Sequence, residues 1–245
     1  MAHHAGHGRG SARRWLADEV PVALVFSLSP PMLATPADLE DFALGFALTE
    51  GLVECPSELY GADEVAARTE GIELRLEVSA ACAPAAAQAP PHASRPHRLR
   101  AVRHRQPGPG APDLAEPGCG GGHAGRRGAG AAWPAQPGAL QQLTGATHAA
   151  AWCSLAGEVL LLREDIGRHN ALDKLVGALL RAGHPVEGFI CITSRAASRW
   201  SRRARAGVAV LAAVSAPTAL AVDTAQACGQ LLLGFVRGDD LIYYT

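Results

Sequence analysis

A long stretch without apolar periodicity interrupts the chain and limits what can fold. From Ala80 to Gly138 the branched apolar residues are Leu99, Val102 and Leu114 alone, scattered among Ala, Pro, Gly, Arg and His. Ordering a backbone costs roughly 1–2 kcal/mol per residue, which so few buried side chains cannot offset. A segment of this length is foreign to a compact core, and residues 80–139 read as a low-complexity loop or disordered insert. Folded structure is expected on both sides of it. Residues 1–14 are polar, rich in His and Gly, and read as a disordered tail. Residues 15–79 then form an N-terminal part and 140–245 a C-terminal α/β domain.

The flanks carry the patterning that the middle lacks. Glu19 to Phe26 reads as a strand. Thr35 is placed to cap a helix, with Pro36 in its first turn and Asp38, Glu40 and Asp41 at its positive end. Leu39, Phe42, Ala43 and Phe46 recur on one helical face, Gly51 ends the pattern, and Ile72 to Val78 alternates as a strand. After Thr144, strands at 147–154 and 158–163 precede a helix over 170–182. A buried strand at 189–193, a polar helix at 196–206 and a strand at 208–214 follow, then a helix at 217–228 and an apolar run at 231–235. Strands alternating with helices indicate an α/β layer with a mostly parallel sheet. The first part reads as smaller and α+β.

Composition excludes several function classes. With 22 basic and 23 acidic residues the formal net charge is -1, which gives no overall basic character for nucleic acid. The arginines within 95–127 have no aromatics between them for base stacking. Only one basic residue, Lys174, is a lysine, a bias that suits GC-rich coding. The six cysteines, Cys55, Cys82, Cys119, Cys153, Cys191 and Cys228, form no CxxC pair and no disulfide framework, which suits a reducing cytoplasm. No run approaches the roughly 18 apolar residues that span a bilayer, and the first residues lack the apolar core of a secretory signal. A cytoplasmic protein with no membrane and no nucleic-acid partner is expected.

The densest polar cluster is REDIGRHNALDK, Arg163 to Lys174. Glu164 and Asp165 close an expected strand, Gly167 allows a tight turn, and Arg168, His169 and Asn170 open a helix. Ligands of open α/β sheets bind outside the carboxyl ends of strands, and helix N-termini attract anions. The plainer reading is a surface turn whose charges pair locally, worth little energetically. The number of functional groups in one turn favours a site.

EDIGRHNALDK resembles the signature of the formate dehydrogenase accessory sulfurtransferase family, FdhD. So do MLATPADLEDFALGFALTEGLV at 32–53, TGATHAAA at 144–151, SAPTALAV at 215–222 and GFVRGDDLIYYT at 234–245, in family order. Together the resemblance covers roughly 15–78 and 140–245. It implies a C-terminal cytidine-deaminase-like three-layer α/β sheet and a homodimer. It also implies a sulfurtransferase that takes sulfur from a cysteine desulfurase. The sulfur goes to the molybdenum cofactor, Mo-bis(molybdopterin guanine dinucleotide), which is bound as substrate and then enters formate dehydrogenase.

The family's carrier cysteine lies in a Gly-rich G-C-G-x-C-G loop, and the match here is Gly118-Cys119-Gly120-Gly121-Gly122. Cys119 falls on the first family cysteine and Gly122 on the second. A carrier sulfur must reach a donor and then an acceptor, so an exposed thiolate on a Gly-rich tether suits the task. The resemblance also assigns Phe235, Val236, Arg237, Gly238, Asp239 and Asp240 to the cofactor. Phe235 would stack on a purine, Arg237 would meet a phosphate, and Gly238 would let the backbone approach. An acidic side chain would accept from guanine. Read without the family, these residues are a strand end and a surface turn. Arg168, His169 and Asn170 join the same cofactor set.

The chain departs from the family in two places. Gly122 removes a cysteine that would resolve or protect a persulfide. Residues 193–207 replace a Ser-Gly-Arg-x-Ser pattern by Ser194-Arg195-Ala196 and run about two residues short, which fits a local reading-frame disturbance. An alternative to sulfur transfer is therefore a cofactor-binding chaperone or inactive relic. A zinc deaminase needs H-x-E or C-x-E with P-C-x-x-C, and neither stands in this sequence.

Overall fold

A computed structural model describes residues 2–5, 14–25, 31–50, 52–53, 56–68, 71–79, 138–183, 188–197, 208–227, 229–237 and 240–245. The expectations for the middle loop, Cys119 and Gly122, for the polar helix beyond Ala197, and for Gly238 and Asp239 lie outside them. Strand β1 (Ala2–Ala5) pairs antiparallel with β2 (Arg14–Ala17). The stretch read as an unstructured tail thus contributes a strand, whose partner supplies hydrogen bonds that its own composition does not demand.

The N-terminal part is a four-stranded sheet with one helix. Its order is β4 (Met32–Ala34), β3 (Val20–Val25), β6 (Gly71–Val78), β5 (Leu59–Arg68), with β3 and β6 parallel and the other pairs antiparallel. Helix α1 (Leu39–Thr49) lays Phe42, Ala43, Phe46 and Ala47 on this sheet against Val22, Leu24, Leu74 and Leu76. These are the positions whose spacing marks a helix in the sequence. Thr35 does not cap it. The N-cap is Asp38, with φ 53° and no side-chain cap bond, because Thr35 is engaged elsewhere.

The C-terminal part starts at helix α2 (Ala139–Thr144). Its remaining elements are β7 (His148–Ser154), β8 (Val159–Asp165), α3 (Arg168–Arg181), β9 (Gly188–Ile192), β10 (Val210–Ala213), α4 (Ala219–Ala227), β11 (Leu231–Arg237) and β12 (Asp240–Tyr243). They make a six-stranded sheet in the order β12-β11-β10-β9-β7-β8. Only β9, β10 and β11 are mutually parallel. The sheet is mixed, which corrects the expectation of a mostly parallel one. The links 155–158 and 238–239 are too short for the crossover that parallel neighbours need, so β8 and β12 turn back antiparallel.

Strand alternation divides the core. Trp152, Ile190, Ile192, Leu211 and Leu232 face α3 and α4, packing on Leu172, Leu175, Ala221 and Ala225. Ala151, Cys153, Phe189, Cys191, Val210 and Leu233 are buried on the opposite face. Burial on both faces explains why these strands read as continuous apolar runs.

The two parts join where α1 crosses α3, and two glycines set the distance. A Cβ on Gly45 would overlap the carbonyl of Asp173, and one on Gly177 the carbonyl of Asp41. Alanine at 177 would gain about 1 kcal/mol of helix propensity. Overpacking typically costs about 1–3 kcal/mol, and here the obstacle is main chain, which cannot swing aside. Gly177→Ala should therefore lose about 2 kcal/mol or more in urea unfolding. Gly61→Ala, with open space around its Cβ, should stay within about 0.5 kcal/mol of the parent. Equal effects at both positions would contradict the backbone contact.

Candidate functional site

The polar cluster Arg163–Lys174 divides into a clasp between the two parts and an edge facing outward. Asp165 and Lys174 are fully buried, with Nζ 2.7 Å from Oδ2. Lys174 also donates to the Thr35 carbonyl at 2.9 Å, and the Thr35 N–H donates to Asp165 Oδ2 at 3.0 Å. The Ile166 N–H donates to the Thr35 hydroxyl at 3.1 Å, which is why Thr35 is not free to cap α1. Oδ1 of Asp165 accepts from the Gly167 N–H at 2.7 Å and from Asn170 Nδ2 at 3.1 Å. Every charge in this group has a partner, the condition under which burying it is tolerable.

Further bonds widen the clasp. Asn170 Nδ2 donates to the Leu33 carbonyl, and the Thr49 hydroxyl to Asp173, both at 2.9 Å. Buried Asp41 takes Arg163 at 2.8 Å and Arg181 at 3.0 Å. Glu164 caps α2, accepting from the N–H groups of Leu140 and Gln141 at 2.9 and 2.8 Å and from the Thr147 hydroxyl at 3.2 Å. The charges of this motif are paired, but in buried contacts that reach the N-terminal part, not as a surface turn of local pairs.

What remains is a row of groups along one end of the sheet. Beta strands 9, 10 and 11 end at the same side. The Thr193 N–H donates to the Ala149 carbonyl at 3.0 Å, Val214 to Ile192 at 3.1 Å, and Thr218 to Ala196 at 3.0 Å. These bonds stitch the loops after β9 and β10 into a floor. His148 opens β7 opposite Asp165, and Arg168 begins α3 three residues later. Arg195 follows Thr193 by two residues. Its charge, after burial, is the second influence that holds the Arg168 guanidinium below its usual range. Burial and then Arg168 push the His148 imidazolium down, and Asp165 partly offsets them, so His148 favours its neutral form.

The other end of the row is β11. Phe235 has φ 52° and is 38% exposed, at a register shift between Gly234 and Arg237. A left-handed backbone is costly for a bulky residue and concentrates at functional sites. The irregularity turns the Phe235 ring outward where regular alternation would not. Gly234 stands against Tyr244, Pro217 and Ser215, so SAPT and the C-terminal strand meet there. Adjacent strands lie about 4.8 Å apart, so the row from Phe235 to His148 spans roughly 14 Å.

The site residues expected from sequence are thus distributed. Arg168 and Phe235 line this edge. Arg237 is exposed and stands opposite Asp240 in the register of β11 with β12. Val236 is fully buried, leaving only its main chain for a ligand. His169 sits in the first turn of α3, and Asn170 spends its amide on the clasp. The sequence alone does not single out His148 or Arg195. His148 stands inside the TGATHAAA motif, whereas Arg195 reads only as a departure from a pattern. Among the described residues, Cys153 and Cys191 are buried free thiols. Burial raises Cys153 to about 12, and burial with the neighbouring Cys153 raises Cys191 further. No group of acidic, His or Cys side chains among the described residues is arranged to hold a metal ion. No described helix is long and apolar enough to cross a membrane.

Fold and edge together define an α/β protein whose polar groups gather at the carboxyl ends of its parallel strands. The same fold occurs in a solved structure described as a formate dehydrogenase accessory protein from Desulfotalea psychrophila. It matches with TM-score 0.64 and 18% identity, covering 100% of this chain and 96% of that one. Residues 135–245 match the model of the FdhD/NarQ family. The protein named sulfur carrier protein FdhD in Variovorax paradoxus is 49% identical over 95% of this chain and 85% of its own length. Its namesake in Bordetella petrii is 44% identical over 94% and 84%. The chain belongs to the FdhD/NarQ family.

Proposed function

We propose that the chain is a sulfur carrier and sulfurtransferase, loaded as a persulfide on Cys119. The observation that carries this reading is the identity over nearly the whole chain with relatives named sulfur carrier proteins. A cysteine desulfurase supplies the sulfur: the Cys119 thiolate attacks the outer sulfur of the donor's persulfide, and the donor leaves as thiolate. No net oxidation or reduction occurs. The outer sulfur then passes to Mo-bis(molybdopterin guanine dinucleotide), bound as substrate: the S–S bond breaks, Cys119 leaves as thiolate, and the acceptor supplies the two electrons that bring sulfane sulfur to the sulfide level; the sulfurated cofactor serves formate dehydrogenase. The protein works in the cytoplasm as a homodimer.

The edge supports the cofactor half of this reading. Phe235 offers a ring to a purine, Arg237, Gly238, Asp239 and Asp240 follow it in sequence, and Arg168 with His169 and Asn170 opens α3. Incubation with a cysteine desulfurase and cysteine should add the mass of one sulfur atom to the intact chain, removable by a reducing thiol. Absence of that increment, with guanine nucleotide binding retained, would favour a cofactor-binding chaperone. Gly122, in place of a second cysteine, is the feature that keeps this second reading in view.

A further inference from the structure

We infer that Asn170 is a positioning residue: it touches no ligand itself, and it aims Arg168 by fastening the turn before α3 to the N-terminal part. The inference rests on the cofactor-binding reading of Arg168 and takes Asn170 out of the set of direct contacts. The turn from Asp165 to Asn170 has a buried side and an open side. Asp165 is 0% exposed and Asn170 8%, while Ile166, Gly167, Arg168 and His169 between them are partly exposed. Asn170 Nδ2 donates to the Leu33 carbonyl at 2.9 Å and to Asp165 Oδ1 at 3.1 Å. Both partners are acceptors, so the amide nitrogen faces inward and both of its hydrogens are spent there.

The amide also lies against the main chain that it holds. A Cβ on Gly167 would stand 2.8 Å from Asn170 Nδ2 and 3.2 Å from Asp165 Oδ1. The Gly167 N–H donates to that same oxygen at 2.7 Å, and Gly167 is the residue directly before Arg168. Asn170 and Gly167 therefore share one carboxylate oxygen, while Lys174 and the Thr35 N–H fix the other. One residue earlier, the Ile166 N–H donates to the Thr35 hydroxyl at 3.1 Å. The main chain leading into Arg168 is thus held from behind by Leu33 and Thr35, and Asn170 is the side chain that closes the ring. Without its amide the Leu33 carbonyl loses this donor, and the turn loses its tie to β4. Aspartate could not replace it, because a carboxylate would face two acceptors.

Calorimetry with GDP on the full chain tests this in a cycle of Asn170→Ala, Arg168→Ala and the double variant. Asn170→Ala should weaken GDP binding by roughly 2- to 30-fold, the range for residues that act on a site without touching its ligand. In the Arg168→Ala background the same change should alter affinity by less than about twofold, since no guanidinium is left to aim. An undiminished loss in that background would overturn the inference, because neither a direct contact nor general damage needs Arg168. Unchanged GDP binding in Asn170→Ala would overturn it as well. Hydrogen exchange on the unliganded Asn170→Ala chain gives a second readout. Amides at Gly167 and Arg168 should exchange faster, with β9 and β10 as in the parent. Faster exchange throughout would report lost stability instead of positioning and would count against it. If the parent binds no GDP, or Arg168→Ala binds it normally, the cofactor reading of Arg168 fails, and the exchange result alone decides whether Asn170 sets the turn.

Discussion

Replacing Lys174 by methionine should lower the unfolding free energy by about 3–5 kcal/mol, the cost of leaving one member of a buried ion pair behind. The partner left behind is Asp165, fully buried and 2.7 Å from the missing ammonium. The Thr35 carbonyl would lose its donor as well. For a chain of this size the midpoint of thermal unfolding should fall by roughly 6–20 °C. Lys174→Arg should be damaging too, because the site takes a compact ammonium between a carboxylate and a carbonyl, and a planar guanidinium is wider. In a chain that uses arginine for its other 21 basic residues, lysine persists where arginine does not fit. A change below about 1 kcal/mol in Lys174→Met would mean that the pair is hydrated and the clasp is not a determinant of stability.

Cys119→Ala should abolish sulfur loading completely, not reduce it. Cys153 and Cys191 cannot substitute: each is 0% exposed, and burial holds Cys153 near 12, so its thiolate is scarce at neutral pH. Cys191 is disfavoured further. Peptide mass spectrometry after desulfurase treatment should place the added sulfur on Cys119 in the parent and on no peptide of the variant. The variant should also fail to restore formate dehydrogenase activity in a strain that lacks its own carrier, while still binding GDP. Sulfur found on a different cysteine would displace Cys119 from its role.

The parts of this fold that can be read from sequence are those decided locally or by burial on both faces. Phe42, Ala43 and Phe46 announce α1, and the continuous apolar runs announce β9, β10 and β11. The edge strands β5 and β12 escape such a reading, since LYGADEVAAR and DLIY carry too little alternation. Thr35 shows how a local rule loses to a distant partner. It stands where a helix cap would, but Asp165, Ile166 and Lys174, about 130 residues away, claim its backbone and hydroxyl. Asp41 likewise suits a helix N-terminus, and yet it is buried between Arg163 and Arg181.

The candidate site was legible to the same degree and for the same reason. Arg168, His169 and Asn170 are contiguous, so their clustering is visible in the chain. His148 and Arg195 meet them only through the register of β7 with β8 and β9, which no local pattern encodes. Phe235 was placed by resemblance, but its positive φ was not foreseeable, because a bulky aromatic residue normally avoids that conformation.

The glycine crossing fixes more than a distance. Moving α3 along α1 by one turn, about 5.4 Å, would bring Asp173 or Arg181 to the place where Gly177 meets the Asp41 carbonyl. Neither side chain fits there, so the pair of helices has one register and no neighbouring one to slip into. Helix α3 is then a fixed strut. A ligand arriving at its N-terminus would meet a charge field set by that one register.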